Sequence, residues 1–393
     1  MDIVTTSNFH ATLLQGTPSV SVVFIPAQHV RQCCWPLLTL LLYGGCSFDE
    51  NEGTCANAAD PAHVCRSAQT EIFSVVSDKD GATVFMDPRG VEIFSRAGMG
   101  ELVTVAPQAW RAIQIHLGPM VAEFPGIVSF LSKLLATDKI SILNMSTYDT
   151  DIIYVQESTL DAAIACLQSK LARGVHGLIE AKDAERALHD RLSGSSQELE
   201  SGAVDAIDAA ATDAEEPLLP VVGSGQYLVV YPESLVIVRL RKDAIRKCAY
   251  GLTQQVLLSY GSLPEGDRGS SAEEPAESTR EEQRLRDAEM VSFWSYCETA
   301  EEISLIVTER YLESFEDDAI IVSPDRWRAI KLCGRTYGFD ETGVVAAMSG
   351  FSTDTQVLNV SSFGSNVTFV LDHTLDASID TLCSSLSITH VER

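Results

Sequence analysis

The stretch 140–155, IleSerIleLeuAsnMetSerThrTyrAspThrAspIleIleTyrVal, is written twice in this chain, and the second copy lies at 355–370. Leu143 matches Leu358, Asn144 matches Asn359, Ser146 matches Ser361, Tyr148 matches Phe363, Tyr154 matches Phe369 and Val155 matches Val370. The offset is constant (361 − 146 = 215). Each copy is a β-branched and aromatic run, a short polar break and a second such run, the pattern of a hairpin of two buried strands. A repeat of this length makes the chain an array of similar units, each of which must bury itself against another.

The repeat extends outward. Val30, Arg31, Cys33 and Leu37 recur as Ile245, Arg246, Cys248 and Leu252, again 215 residues on. TrpArgAlaIle at 110–113 recurs at 327–330. In order, a strand at 19–25 precedes a helical pattern from Gln28 to Tyr43 and an unpatterned insertion at 44–70. Runs at 71–76 and 82–87 flank AspLysAspGly, a hairpin signal, and a short helix follows near 88–97. The next unit has its strand at TrpArgAlaIleGlnIle, a helix at 124–137 and the 140–155 hairpin. A helix at 158–172 then carries Leu160, Ala163, Ile164, Leu167 and Leu171 on one face, and GlyLeuIleGlu (177–180) closes the unit. The expected fold class is α+β, four ferredoxin-like βαββαβ units in two tandem halves. Their expected boundaries are 8–105 with the insertion 44–70, 106–186, 225–323 with an insertion at 261–288, and 324–393. Between the halves, 187–224 is an acidic linker expected to be disordered.

With 393 residues, 45% of them hydrophobic, the chain can bury several small cores. Its net charge of −27 opposes binding to nucleic acid and to anionic membranes, which both attract basic surfaces. Ten cysteines lack the spacing of a disulfide framework. The start, MetAspIleValThrThrSer, has no basic n-region, and the apolar run 33–43 is too short to span a bilayer. These features predict a soluble cytoplasmic protein.

Catalytic motifs are missing: the chain has no phosphate-binding GxxxxGK[ST] loop, GxSxG, HExxH or CxxC pair. Cys55, His63 and Cys65 lie in a biased insertion without a fourth ligand, so neither metal nor cofactor is expected. Asp149 and Asp151 share one side of a strand, yet no base or electrophile accompanies them. One stretch does look like a binding element. GlyPheAspGluThrGlyValValAlaAlaMet (338–348) sets a polar loop at a helix start, where unpaired amides can receive an anion or simply be capped. The matching GluPheProGlyIleValSer (123–129) carries Pro125, which lacks a donor.

These residues resemble the CASTOR family, cytosolic arginine sensors built from four ACT modules. GlyPheAspGluThrGlyValVal (338–345), TrpArgAlaIle, SerThrTyrAspThrAsp (146–151) and SerSerPhe (361–363) carry the resemblance. It implies a ligand between the second and fourth units, its carboxylate on the amides of Gly343, Val344 and Val345. Asp340, Glu341 and Thr342 belong to the same loop. Ser141 and Ile142 would form the opposite wall, and Ser362, Phe363 and Asn366 would face the ligand side chain. It also implies a GATOR-type complex upstream of the TOR growth kinase as partner, docked through Tyr148, Asp149, Thr150 and Asp151. A homodimer is a further assembly the family reading admits.

The chain departs from that pattern at Asn366, where the family has an Asp for the guanidinium. Asp372 does not replace it, because the repeat aligns Asp372 with Glu157. Leu219 stands where the family has a His. A buried guanidinium needs a carboxylate, and Asn supplies one acceptor and two donors instead. The expected function is a non-catalytic amino-acid sensor for arginine or a neutral amino acid. The alternatives are a regulatory subunit of an amino-acid biosynthetic enzyme and a ligand-free scaffold.

Overall fold

The computed structural model describes residues 10–14, 19–43, 72–116, 127–170, 175–176, 225–259, 292–351 and 355–393. The insertion 44–70, the linker 187–224, the stretch 261–288, the strand expected at 177–180 and Cys55, His63 and Cys65 lie outside them. The chain is α+β and built of ferredoxin-like segments. After β1 (His10–Leu13), the first segment runs β2 (Ser21–Pro26), α1 (Ala27–Val30), α2 (Cys34–Tyr43), β3 (Ile72–Asp78), β4 (Gly81–Met86), α3 (Pro88–Arg96) and β5 (Thr104–Val105). The second comprises β6 (Trp110–His116), α4 (Ile127–Thr137), β7 (Ile142–Ser146), β8 (Thr150–Gln156), α5 (Leu160–Lys170) and β9 (Val175–His176). After β10 (Tyr227–Val230), the third runs β11 (Leu235–Leu240), α6 (Ala249–Leu258), β12 (Trp294–Thr299), β13 (Ile303–Thr308) and β14 (Ile320–Val322). The fourth has β15 (Trp327–Cys333), α7 (Val344–Met348), β16 (Val357–Ser362), β17 (Ser365–Leu371), α8 (Leu375–Leu386) and β18 (Val391–Glu392).

Strand pairing joins the segments edge to edge. β3 runs antiparallel to β12 from Ile72 opposite Thr299 to Ser77 opposite Trp294, giving the order β5-β2-β4-β3-β12-β13-β11-β14. The second sheet is β9-β1-β6-β8-β7-β16-β17-β15-β10-β18, joined at its centre by the single bridge Met145–Val360. Bridges Val20–Trp110 and Leu235–Trp327 close the two sheets on each other at opposite corners. All three kinds of junction leave few strand edges open to a stray partner.

Hydrophobic alternation sorts side chains into layers. Phe73, Val75, Val84, Ile25 and Val238 pack under α2 and α6 with Leu37, Leu41, Leu252 and Val256. Their neighbours Ile72, Val76, Phe85, Val22 and Ile237 face the other sheet and meet Trp110, Tyr154, Trp327 and Phe369. The outer faces of the second sheet bury Ile113, Ile115 and Ile153 under α4 and α5, and Ile330 and Val370 under α7 and α8. The result is four layers, helix–sheet–sheet–helix. Every residue of β3, β4 and β8 is buried, because both faces of these strands are covered.

The structure corrects the sequence reading in several places. His10–Leu13, inside the boundary expected for the first unit, inserts between β6 and β9 of the second segment. Tyr227–Val230 repeats this between β15 and β18. The helix expected at 28–43 breaks at 31–33, and Pro36 falls in the first turn of α2, where a missing N–H costs nothing. The third segment has no second α-helix among the described residues, only 3-10 turns at Glu309–Ser314 and Asp317–Ala319. Phe315, between those turns, packs on Gly251 of α6, where a Cβ would come within 2.6 Å of its ring.

Between the sheets lies a buried ion-pair cluster. Lys331 on β15 is 2% exposed, and its Nζ meets Asp78 at 2.5 Å and Asp80 at 2.6 Å in the β3–β4 turn. Burial opposes its charge, but the two carboxylates outweigh that and raise its pKa. The repeat places Gln114 at the same station of β6, where it donates to Glu301 at 3.4 Å and Thr150 at 3.3 Å. Lys331→Met takes the buried cation from Asp78, which keeps the Asp80 amide at 2.8 Å, and is expected to cost about 3 kcal/mol in urea unfolding. Gln114→Met should lose only about 1 kcal/mol, and adding Asp78→Asn to Lys331→Met should recover part of the larger loss. Equal losses at the two stations would remove the distinction.

Candidate functional site

A small cleft opens where the head of β7 meets the loop before α7 and the β16–β17 turn. Ser141, Ile142 and Leu143 form one wall. Tyr337, Gly338, Phe339, Glu341, Val344 and Val345 form the second, and Ser361, Ser362, Gly364, Ser365 and Asn366 the third. Two glycines make this geometry possible. Gly364 holds φ 69 in the tight turn, where a Cβ would lie 2.2 Å from Thr336 Cγ2. Gly343 holds φ 83 and turns the loop into α7.

The second segment grips the loop by its backbone. The Ser141 hydroxyl lies 2.7 Å from the Phe339 carbonyl and 3.0 Å from that of Glu341, and can donate to either. Gln156 Nε2 donates to the Phe339 carbonyl at 2.8 Å and to Asp340 Oδ1 at 3.0 Å. Glu341 folds back to accept from the Gly338 amide at 2.8 Å and pairs with Arg335, whose guanidinium lies over the Tyr337 ring. Its carboxylate therefore caps the loop. Phe339 stands edge-on to Trp110 and to Phe363.

Seven of the sequence-derived ligand residues line this cleft: Ser141, Ile142, Glu341, Val344, Val345, Ser362 and Asn366. Asp340, Thr342, Gly343 and Phe363 stand outside its lining. Asp340 is turned to Gln156. Phe363, expected to face the ligand, instead stacks on Phe24 of β2 at 4.8 Å, and its amide donates to Thr83. An aromatic at a hairpin tip finds more apolar contact between the sheets than beside a polar cleft. The lining also includes Leu143, Tyr337, Gly338, Phe339, Ser361, Gly364 and Ser365, which were not among the sequence-derived ligand residues. The position of Ser361 inside the repeated hairpin was the signal that could have found it.

Asn366 is 1% exposed, and its Nδ2 donates to Ser361 Oγ at 3.2 Å and to Asn144 Oδ1 at 3.4 Å. Its Oδ1, like Ser362 Oγ, has no hydrogen-bond partner among the described residues. Buried polar atoms in that condition are rare and call for an explanation.

The other hairpin tip behaves differently. Glu302, 2% exposed in the β12–β13 turn, accepts from Thr147 Oγ1 at 2.5 Å, Thr150 Oγ1 at 3.2 Å and the Asp149 amide at 3.2 Å. Asp149 pairs with Arg239 at 2.8 Å. The proposed docking residues are thus clasped to the third segment. Tyr148 packs half-buried against the intersheet core, and Asp151 is only 5% exposed, so it presents no carboxylate to a partner in this arrangement. Burial pushes Asp151 up to about 6 against a hydrogen bond from Ser146. Burial likewise raises Glu302 to about 6, opposed by Thr147 and reinforced by Asp149. No group of three or more His, Cys, Asp or Glu side chains among the described residues is placed to hold a metal ion. No helix among them is long and apolar enough to cross a membrane.

Within this α+β fold, residues 105–169 match the ACT domain family. The chain is also similar to proteins named cytosolic arginine sensor for mTORC1 subunit 1. The one from Mus musculus is 23% identical over 327 residues, covering 81% of this chain and 86% of that protein. The one from Homo sapiens is 22% identical over 326 residues, covering 81% and 87%. An aspartate kinase structure from Synechocystis aligns at 12% identity with a TM-score of 0.30, covering all of this chain and 58% of that one, a likeness too slight to carry an argument.

The raised carboxyls set a pH dependence. Asp151 and Glu302 hold protons more tightly folded than unfolded, so their contribution is most favourable below 3.8 and 4.5 and is lost as pH rises to about 6. Asp151→Asn, which installs the residue its repeat mate already has, should raise stability at neutral pH by up to about 3 kcal/mol. It should also flatten the thermal-melt profile across that window. A variant melting lower at neutral pH would show that the carboxylate is needed.

Proposed function

We propose that this chain is a non-catalytic amino-acid sensor of the CASTOR type, working in the cytoplasm. The observation that carries the reading is the cleft shared by the second and fourth segments, walled by Ser141, Ile142, Glu341, Val344 and Val345. Similarity to named arginine sensors over four-fifths of the chain supports it. In this reading four ACT-type modules span 8–105, 106–186, 225–323 and 324–393, with β1 and β10 lent to the following module. The ligand carboxylate meets the turn amides at Gly343, Val344 and Val345, with Asp340, Glu341 and Thr342 as the covering loop and Phe363 as a support behind the wall.

Regulation follows from one strand. β7 lines the cleft at Ile142 and Leu143 and ends at Ser146, where the hairpin clasped by Glu302 begins. A ligand that favours one packing of the walls shifts that hairpin, and with it Tyr148 and Asp149, toward or away from a partner. The partner proposed is a GATOR-type complex controlling TOR signalling.

A thermal-shift screen of the amino acids on the full chain tests the sensor reading. A true ligand at a hundredfold over its Kd should add about 2.7 kcal/mol of stability, and Gly343→Val, strained at φ 83, should abolish the shift. Normal binding by a folded Gly343→Val would move the site elsewhere. Affinity capture with and without that ligand should recover the growth-signalling complex in one condition only. Recovery of a biosynthetic enzyme instead would point to the regulatory-subunit alternative.

The homodimer expectation attaches to the helix layer. Trp35 on α2 and Tyr250 on α6 are repeat mates, 63% and 65% exposed, on helices that pack against each other. Two copies can bury this two-fold patch isologously. Trp35→Ser with Tyr250→Ser should shift the protein from dimer to monomer in sedimentation, and an unchanged mass would exclude this face.

A further inference from the structure

We infer that the β12–β13 turn holds the second-segment hairpin through a proton on Glu302, and that losing this proton as pH rises lets the hairpin open. The clasp stands on its own geometry. That its opening bares Tyr148 and Asp149 to a partner rests on the sensor reading above.

The two hairpin tips dock on opposite halves and meet one problem differently. At the β16–β17 end, Lys331 brings an ammonium to Asp78 and Asp80 of the β3–β4 turn. At the β7–β8 end, its mate is the neutral Gln114, and the β12–β13 turn carries Glu301 and Glu302. Arg239 is taken by Asp149, and Lys242 is held on the Thr299 and Ala300 carbonyls. Glu302, 2% exposed, pairs with no lysine or arginine among the described residues. A buried carboxylate without a cation binds a proton instead.

The proton's place follows from the hydrogens available. Thr147 Oγ1 stands 2.5 Å from Glu302 Oε1 and 2.6 Å from the Thr150 carbonyl, and it accepts from the Thr150 amide at 3.0 Å. A hydroxyl has one hydrogen, whereas a carboxylate and a carbonyl are both acceptors. With Glu302 ionised, Thr147 donates to it and faces the carbonyl with no hydrogen between them. With Glu302 protonated, its O–H donates to Thr147, and the Thr147 hydrogen passes to the carbonyl. Every close contact is then a hydrogen bond, and the Asp149 amide still reaches Glu302 Oε2 at 3.2 Å.

Opening returns Glu302 to water, where its pKa falls from about 6 to 4.5, so ionisation favours the open hairpin. The closed clasp is most favoured below 4.5 and loses up to about thirtyfold in its equilibrium as pH rises past that window. Other titrating groups stand close by. Burial pushes the Cys297 thiol up, which keeps it neutral. Glu298 accepts from Tyr296 and Glu301 from Gln114. Asp151 lies on the opposite face of β8 from Thr150. His116 is opposite Thr150 in register, and His10 is opposite His116.

Hydrogen exchange of the full chain, read on peptides spanning 145–151 and divided by the intrinsic rate at each pH, tests this. It needs neither ligand nor partner, so its outcome is separate from that of the sensor reading. Protection should fall about tenfold or more between about pH 5 and about pH 7.5, while peptides over the mate hairpin at 360–366 keep theirs. Glu302→Gln, whose amide donates to Thr147 at any pH, should hold the clasp shut and abolish the fall. Gln114→Lys, which brings an ammonium to the turn, should move the fall to lower pH, and it keeps the test open if Glu302→Gln does not fold. Asp151→Asn, and His10→Gln with His116→Gln, should leave the fall in place. Protection that does not change with pH, or a fall shared by both hairpins, overturns the inference. So does a fall that persists in Glu302→Gln, stays in place in Gln114→Lys, or vanishes in the Asp151 or histidine variants.

Discussion

The two halves are held in register by a reciprocal exchange of hydrogen bonds at the centre of the ten-stranded sheet. The Asn144 amide donates to Ser361 Oγ at 2.9 Å, and the Asn359 amide donates to Ser146 Oγ at 3.0 Å. Asn144 matches Asn359 and Ser146 matches Ser361, so the contact is its own mirror in the repeat. β7 and β16 share only the Met145–Val360 bridge, and the serine hydroxyls take over where the ladder stops. A buried amide left without a partner is costly, so this exchange fixes which residues of the two hairpins stand opposite each other. Cleft, intersheet clusters and corner tryptophans all take their positions from that register.

The two-fold likeness fails at a few stations. Lys331 meets two carboxylates, whereas its mate Gln114 meets a turn whose Glu302 is satisfied by threonine hydroxyls and an amide. Asn366 has a buried acceptor without a partner among the described residues, whereas Asp151 is a carboxyl with a raised pKa. The helix after β15 has five residues where that after β6 has eleven, leaving room for the loop that walls the cleft. A perfectly symmetric protein would have two identical sites. This one has a polar cleft at one hairpin and a clasp at the other, linked through β7.

Much of this was legible in the sequence because a long repeat reports on pairing. The α+β class and the doubled hairpin follow from the 140–155 repeat. Glu341, Val344 and Val345 belong to the loop at 338–345, whereas Ser141, Ile142, Ser362 and Asn366 came only from the resemblance to the CASTOR family. What the sequence left open shares a cause. The packing of Phe363, the burial of Asp151 and the pairing of the strand at 10–13 are set by neighbours distant in sequence: Phe24, the helix layer over β8, and β6 with β9.

By itself the sequence determined that like would pack against like, since matching strands with matching edges bury each other best. It also determined which residues alternate from face to face, because the β-strand period is two. Only the tertiary structure decided which face met which layer. Both faces of the central strands are covered, hydrophobic burial has no direction, and periodicity alone cannot say whether a side chain ends between the sheets, beneath a helix or on the wall of the cleft.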